Sequence, residues 1–130
     1  MQSARFNSEN CDMSSFADKT VLVVEDEPIV AMHTEDLLSA LGFVNIVVVG
    51  GVRRAVEALA AFSIDLAVLD INLNGEKSFP IAERLAERSI PFLFATGYSD
   101  QKTPFPDAIL INKPFSSENL ESGIRTILPV

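Results

Sequence analysis

The sequence predicts an α/β protein: a five-stranded parallel sheet, doubly wound, with helices on both faces. Three observations lead there. Five short runs of branched apolar residues recur along the 130-residue chain, and helix-like segments separate them. The runs are continuously apolar rather than alternating, as expected for strands covered on both faces. The length suits one domain, which typically runs to about 100 to 200 residues, and the 48% apolar and 22% charged content are those of an ordinary globular chain.

Taken in order, residues 1–18 are polar, rich in Ser and Asn, and without periodicity, so they read as a flexible N-terminal extension that leaves 19–130 as the folded domain. The first strand is Val21 to Val24. A helix follows, opening at Glu27-Pro28, where proline suits the first helical position, and closing before Gly42. Val30, Leu37, Leu38 and Leu41 share one of its faces. The second strand is Ile46 to Val49. Gly50-Gly51 turns the chain into a helix from Val52 to about Phe62, with Val52, Val56 and Leu59 along one side and Arg53 and Arg54 on a solvated face. The third strand, Leu66 to Leu69, leads to a helix that buries Ile81 and Leu85 and turns Glu83, Arg84, Glu87 and Arg88 outward. The fourth strand is Phe92 to Ala95. The connection after it, Gly97 to Asp107, contains Pro104 and Pro106, which oppose helix, so any helix there is expected to be short or mobile. The fifth strand, Ile109 to Ile111, precedes a helix capped by Ser116 or Ser117 that buries Leu120, Ile124, Ile127 and Leu128. Strand and helix repeated in this way imply right-handed crossovers, most simply in the flavodoxin-like strand order 2-1-3-4-5.

Ten basic against eighteen acidic residues leave a net charge of −8, which repels a phosphate backbone and argues against nucleic acid as a partner. No run is long enough to span a membrane. Cys11 is the single cysteine and the start lacks the pattern of a secretion signal, so the expected compartment is the cytoplasm.

Ligands of doubly wound sheets sit at the carboxyl ends of the strands. There the first strand runs into Glu25-Asp26-Glu27, the third into Asp70, the fourth into Thr96 and the fifth into Lys113. Clustered carboxylates call for a cation, and hard oxygen ligands suit Mg2+, with Asp26 and Asp70 as ligand candidates. An aspartate can attack phosphorus while a metal and a lysine stabilise the phosphoryl oxygens, and this chain holds each of those parts. Asp26 taken alone could equally cap the helix at Pro28. The combination at four of five strand ends is far more specific.

These residues resemble the receiver domains of two-component response regulators, over nearly all of the stretch from Lys19 to Leu128. Val-Val-Glu25-Asp26-Glu27-Pro28 is similar to the family's acidic pair, Val-Leu-Asp70 to its phosphorylation site, and Lys113-Pro114-Phe115 to its lysine signature. The resemblance implies that Asp70 is the phosphoacceptor and that Asp26 and Asp70 bind Mg2+ directly. Asn72 would add its backbone carbonyl and Glu25 would act through water, while Thr96 and Lys113 hold the phosphoryl oxygens. It also implies a cis Lys113–Pro114 peptide. The donor would be a sensor histidine kinase or a histidine phosphotransfer protein, and the chain would act as a single-domain regulator through protein contacts or phosphorelay. The contact face expected from the resemblance comprises the region before the fifth strand, that strand and the last helix. More narrowly, Pro91-Phe-Leu-Phe-Ala-Thr-Gly-Tyr-Ser99 is similar to a subgroup of stand-alone receivers associated with general stress phosphorelays.

Two departures stand out. Leu110 occupies the place, three before the lysine, where many relatives carry an aromatic switch, which makes Tyr98, together with Thr96, the substitute switch candidate. Asn-Leu-Asn-Gly after Asp70 lacks a proline common in relatives. His33 falls at the edge of an apolar stripe and reads as a packing or half-exposed residue rather than a phosphodonor, and Cys11 has no evident reactive setting. A phosphatase-type hydrolase also forms an aspartyl phosphate, but it would want a second acid where Asn72 stands, and 130 residues leave little room for a cap over substrate. A degenerate receiver that only binds a partner conflicts with the complete acidic set.

Overall fold

The computed structural model describes residues 16–97 and 103–128. The predicted five runs are the five strands of one parallel sheet: β1 (Thr20–Val24), β2 (Asn45–Val49), β3 (Leu66–Asp70), β6 (Phe92–Thr96) and β7 (Ile109–Asn112). Their order is β2-β1-β3-β6-β7, which is 2-1-3-4-5 when only the strands of this sheet are counted. A small antiparallel hairpin, β4 (Asn72–Leu73) and β5 (Glu76–Lys77), stands apart from it. The described helices are α1 (Pro28–Ala40), α2 (Val52–Ala61), α3 (Phe79–Glu87) and α4 (Ser117–Ile127).

Alternation along the central strands builds two cores. Leu22 and Val24 of β1 join Ala67 and Leu69 of β3 beneath α2 and α3, which contribute Ala55, Leu59, Ile81 and Leu85. The intervening residues, Val21, Val23, Leu66 and Val68, face α1 and α4, which contribute Leu38, Leu120 and Ile124. A period of two thus sends successive side chains of one apolar run to opposite faces, and both faces are covered. The edge strand β2 departs from that expectation. Val48 is 37% exposed and the preceding Val44 is 72% exposed, because helices cover an edge strand only in part.

Helix boundaries follow local chemistry. Pro28 stands at the start of α1. Its buried residues are Ala31, Thr34 and Leu38, so the inward face is narrower and more polar than the leucine spacing predicts. Thr34 satisfies its hydroxyl by donating from Oγ1 to the Val30 carbonyl at 2.9 Å. Ser116 caps α4, its Oγ accepting from the Asn119 N–H at 3.1 Å. Leu120 and Ile124 are fully buried, whereas Ile127 and Leu128 are only partly so. Gly123 lets α4 lie close to the sheet, since a Cβ there would come within 3.2 Å of Leu93 Cδ2.

One further difference from the sequence-based expectation has a physical cause. Phe16, placed by composition in the N-terminal extension, is fully buried. It stacks on Phe43 at 4.6 Å between ring centroids, with the Arg125 guanidinium 5.1 Å from its own centroid. One large aromatic ring can bury enough apolar surface to anchor a polar stretch, so the packed unit begins at least at Phe16 rather than Lys19. In the connection between β6 and β7, residues 103–108 form no helix. Thr103 Oγ1 accepts from the Phe105 N–H at 3.0 Å and donates to the Phe105 carbonyl at 3.1 Å, and the Phe105 ring lies 5.5 Å from Phe92 and 6.1 Å from Phe94.

Candidate functional site

Parallel pairing brings the carboxyl ends of β1, β3, β6 and β7 to one edge. Val24 pairs with Leu69, Asp70 with Ala95, and Thr96 with Asn112, so Glu25, Asp70, Thr96 and Lys113 emerge side by side although up to 88 residues separate them in sequence. Glu25, Asp70 and Thr96 are buried, and Asp26 is half-buried.

The Lys113 ammonium ties the cluster together. Nζ donates to Glu25 Oε1 at 3.1 Å and to Asp70 Oδ2 at 3.2 Å, and the three side chains are 16%, 4% and 10% exposed respectively. Backbone donors take the other carboxylate oxygens: the Glu27 N–H donates to Glu25 Oε2 at 3.2 Å, and the Asn72 N–H to Asp70 Oδ1 at 3.3 Å. The Lys113 N–H donates to the Thr96 carbonyl at 2.7 Å, locking the lysine's loop to the end of β6. The Lys113–Pro114 peptide is cis, in accord with the family resemblance.

One carboxylate oxygen from each of Glu25, Asp26 and Asp70 lies within 4.8 Å of the others. Three hard oxygen donors facing one ammonium form a donor set that fits a small divalent cation. The capping role open to Asp26 is not the one it takes, because the N-cap of α1 is Glu27 and no side-chain capping bond is made there. Burial first, and the negative charge of Asp70 second, push the Glu25 carboxyl up from 4.5 to about 7. Burial works against the charge on Lys113, but Asp70 and Glu25 outweigh it and raise its pKa.

A proton on Glu25 competes with a cation. Mg2+ affinity is therefore expected to climb as pH rises from 4.5 through about 7 and to level off above, a dependence that calorimetric titration across that range measures. The stability of the cation-free fold moves the other way. A carboxyl whose folded pKa exceeds its unfolded value holds more protons in the fold, so this group's contribution to stability falls over the same interval.

An open cleft of about 880 Å³ covers the cluster. Its lining combines the polar residues Asp26, Asp70, Asn72, Thr96 and Lys113 with Ile29, Val30, His33 and Phe115. His33 is exposed, its Nε2 3.5 Å from the Phe115 carbonyl. Arg53 and Arg54 are exposed, and Arg53 pairs with Glu57 at 3.4 Å. Leu110 is partly buried on the α2 and α3 side of the sheet. Tyr98 and Cys11 lie outside the described residues.

Comparison with known proteins decides the family. The response regulator receiver domain model matches residues 21–125. The chain belongs to that family. It is 32% identical over 116 residues to the phyllosphere-induced regulator PhyR of Methylorubrum extorquens, covering 83% of this chain and 43% of PhyR. The solution structure of SdrG from Sphingomonas melonis Fr1 superposes with a TM-score of 0.77 at 41% identity, covering 86% of this chain and 98% of SdrG. The BeF3-activated conformation of SdrG gives a TM-score of 0.74, also at 41% identity, covering 84% and 95%. The chain thus spans nearly all of SdrG but less than half the length of PhyR. The receiver family is one of signalling regulators, and among the described residues no helix is long and apolar enough to cross a membrane.

The hairpin beside the site was missed from sequence. Its signal is Asn74-Gly75, a dipeptide suited to a two-residue turn with both central residues at positive φ. The structure has Asn74 at φ 55° and Gly75 at φ 91°. The runs flanking the turn are only two residues long, too short to register as strands.

Proposed function

We propose that this receiver takes a phosphoryl group onto Asp70 from a phosphohistidine on a sensor histidine kinase or histidine phosphotransfer protein, in an Mg2+-dependent reaction. In the transfer an Asp70 carboxylate oxygen bonds to phosphorus as the phosphorus–nitrogen bond of the donor breaks. The observation that carries this reading is the double ion pair of Lys113 with Asp70 and Glu25, beside Asp26 and under an open cleft. Mg2+ held by Asp26 and Asp70, with Glu25 through water and the Asn72 carbonyl, would neutralise charge on the phosphoryl oxygens. Lys113 already reaches an Asp70 oxygen, which favours its holding a phosphoryl oxygen, and Thr96 lines the same cleft.

Signalling runs through protein contacts or onward phosphotransfer. The stretch Phe94-Ala-Thr-Gly-Tyr98, similar to that of stand-alone receivers of general stress phosphorelays, favours such a relay, and the expected contact face comprises residues 103–107, β7 and α4. Thr96, drawn toward the phosphoryl group, is the switch on the cleft wall, with Tyr98 two residues beyond it in sequence. The test is labelling by acetyl phosphate with Mg2+. The wild-type chain is expected to take label and Asp70→Asn to fall to background, whereas undiminished labelling of Asp70→Asn would refute the assignment.

A further inference from the structure

We propose that Asn74, at the tip of the β4–β5 hairpin, is a positioning residue for the water that hydrolyses phosphorylated Asp70. This rests on the phosphoryl reading of Asp70 and specifies how the modified site would be cleared.

The hairpin brings Asn74 to the cleft. Asn72 pairs with Lys77 and Leu73 with Glu76, and the Ser78 N–H closes its base by donating to the Ile71 carbonyl at 2.9 Å. Leu73, 2% exposed, anchors it in the core. Asn74 then turns at φ 55°, a left-handed conformation that asparagine tolerates and proline, confined near −65°, cannot adopt. The consequence is that Asn74 lines the same cleft as Asp70, Asn72, Thr96 and Lys113.

In-line attack requires the water to approach from the side of phosphorus opposite the Asp70 oxygen. Lys113 and the buried ends of β1 and β3 occupy the inner side, which leaves the open mouth, where the hairpin stands. The water oxygen bonds to phosphorus as the bond to the Asp70 oxygen breaks. The carboxylate departs with the bonding pair, one hydrogen of the water stays on the phosphate and the other leaves as a proton. The Asn74 carboxamide oxygen can accept a hydrogen bond from that water and hold it in line.

The experiment compares decay of the labelled full chain after acetyl phosphate is removed. Asn74→Gly keeps the positive φ and deletes the carboxamide, and it is expected to lengthen the phosphoryl lifetime by about three- to tenfold, the size of one hydrogen bond to the reacting water. Asn74→Asp keeps the turn and an acceptor oxygen, and is expected to return the lifetime to within about twofold of wild type. Calorimetric Mg2+ affinity should stay level in Asn74→Gly, as it would not if the hairpin merely supported the site. An unchanged Asn74→Gly lifetime, a parallel loss of Mg2+ affinity, or an Asn74→Asp lifetime as long as that of Asn74→Gly overturns the proposal. Wild-type protein that takes no label overturns the phosphoryl assignment and this proposal with it.

Discussion

Lys113→Ala is expected to destabilise the cation-free protein by about 3–5 kcal/mol above pH 7, and Mg2+ is expected to restore much of the loss. The ammonium is the counter-charge that the structure provides at 3.1 Å from Glu25 and 3.2 Å from Asp70, two side chains that are 4% and 10% exposed. Removing one partner of a buried pair leaves the other uncompensated at a cost of about that size. Here two acids are left facing each other. The pH condition follows from Glu25, whose carboxyl is pushed up to about 7 even with Lys113 beside it. Without the lysine it rises further, so the loss grows as pH climbs above 7 and is smaller where the carboxyl is neutral and less costly to bury. A cation that binds the folded form alone stabilises it by mass action, so adding Mg2+ should raise the variant's midpoint and bring it toward that of wild type. Urea unfolding followed by circular dichroism measures both quantities, and a variant as stable as wild type without Mg2+ would contradict the ion-pair account.

Phe94→Ala is expected to cost about 3–5 kcal/mol, a large share of the about 5–15 kcal/mol that holds a typical domain folded. Phe94 is fully buried in β6 and meets Phe79 edge-on at 5.9 Å, Phe92 edge-on at 5.5 Å and Phe105 at 6.1 Å. The same ring therefore fills the core above α3 and supports residues 103–107, which lack a helix of their own. Truncation opens a cavity that neighbouring rings, held by their own contacts, cannot close. Phe62, 53% exposed at the end of α2, is the control, and Phe62→Ala should shift stability by less than about 0.5 kcal/mol. Equal losses in the two variants would contradict the packing described.

Fold class and strand order were legible because the signals are local and repeated. Continuous apolar runs mark covered strands, Pro28 and Ser116 mark helix starts, and Pro104 and Pro106 oppose a helix before β7. What local pattern misjudged were cases in which one residue contradicts its surroundings. Phe16 sits beside a polar stretch yet is wholly buried. Val44 and Val48 are as apolar as the residues of β1 but belong to an edge, and an edge strand has a neighbour on one side only.

The residue types at the site were likewise readable: acids after β1 and at the end of β3, a hydroxyl at the end of β6, and a lysine after β7. Sequence by itself determined that these groups end successive strands of one parallel sheet, since the order of runs and turns dictates which ends share an edge. Only the tertiary structure decided that Lys113 binds Glu25 and Asp70 together, that Glu25 is buried deeply enough to titrate near 7, and that a hairpin brings Asn74 to the cleft. The physical reason is range. Strand and helix formation depend on neighbours a few residues away, whereas ion pairing and desolvation depend on distances between segments up to 88 residues apart, which no local pattern encodes.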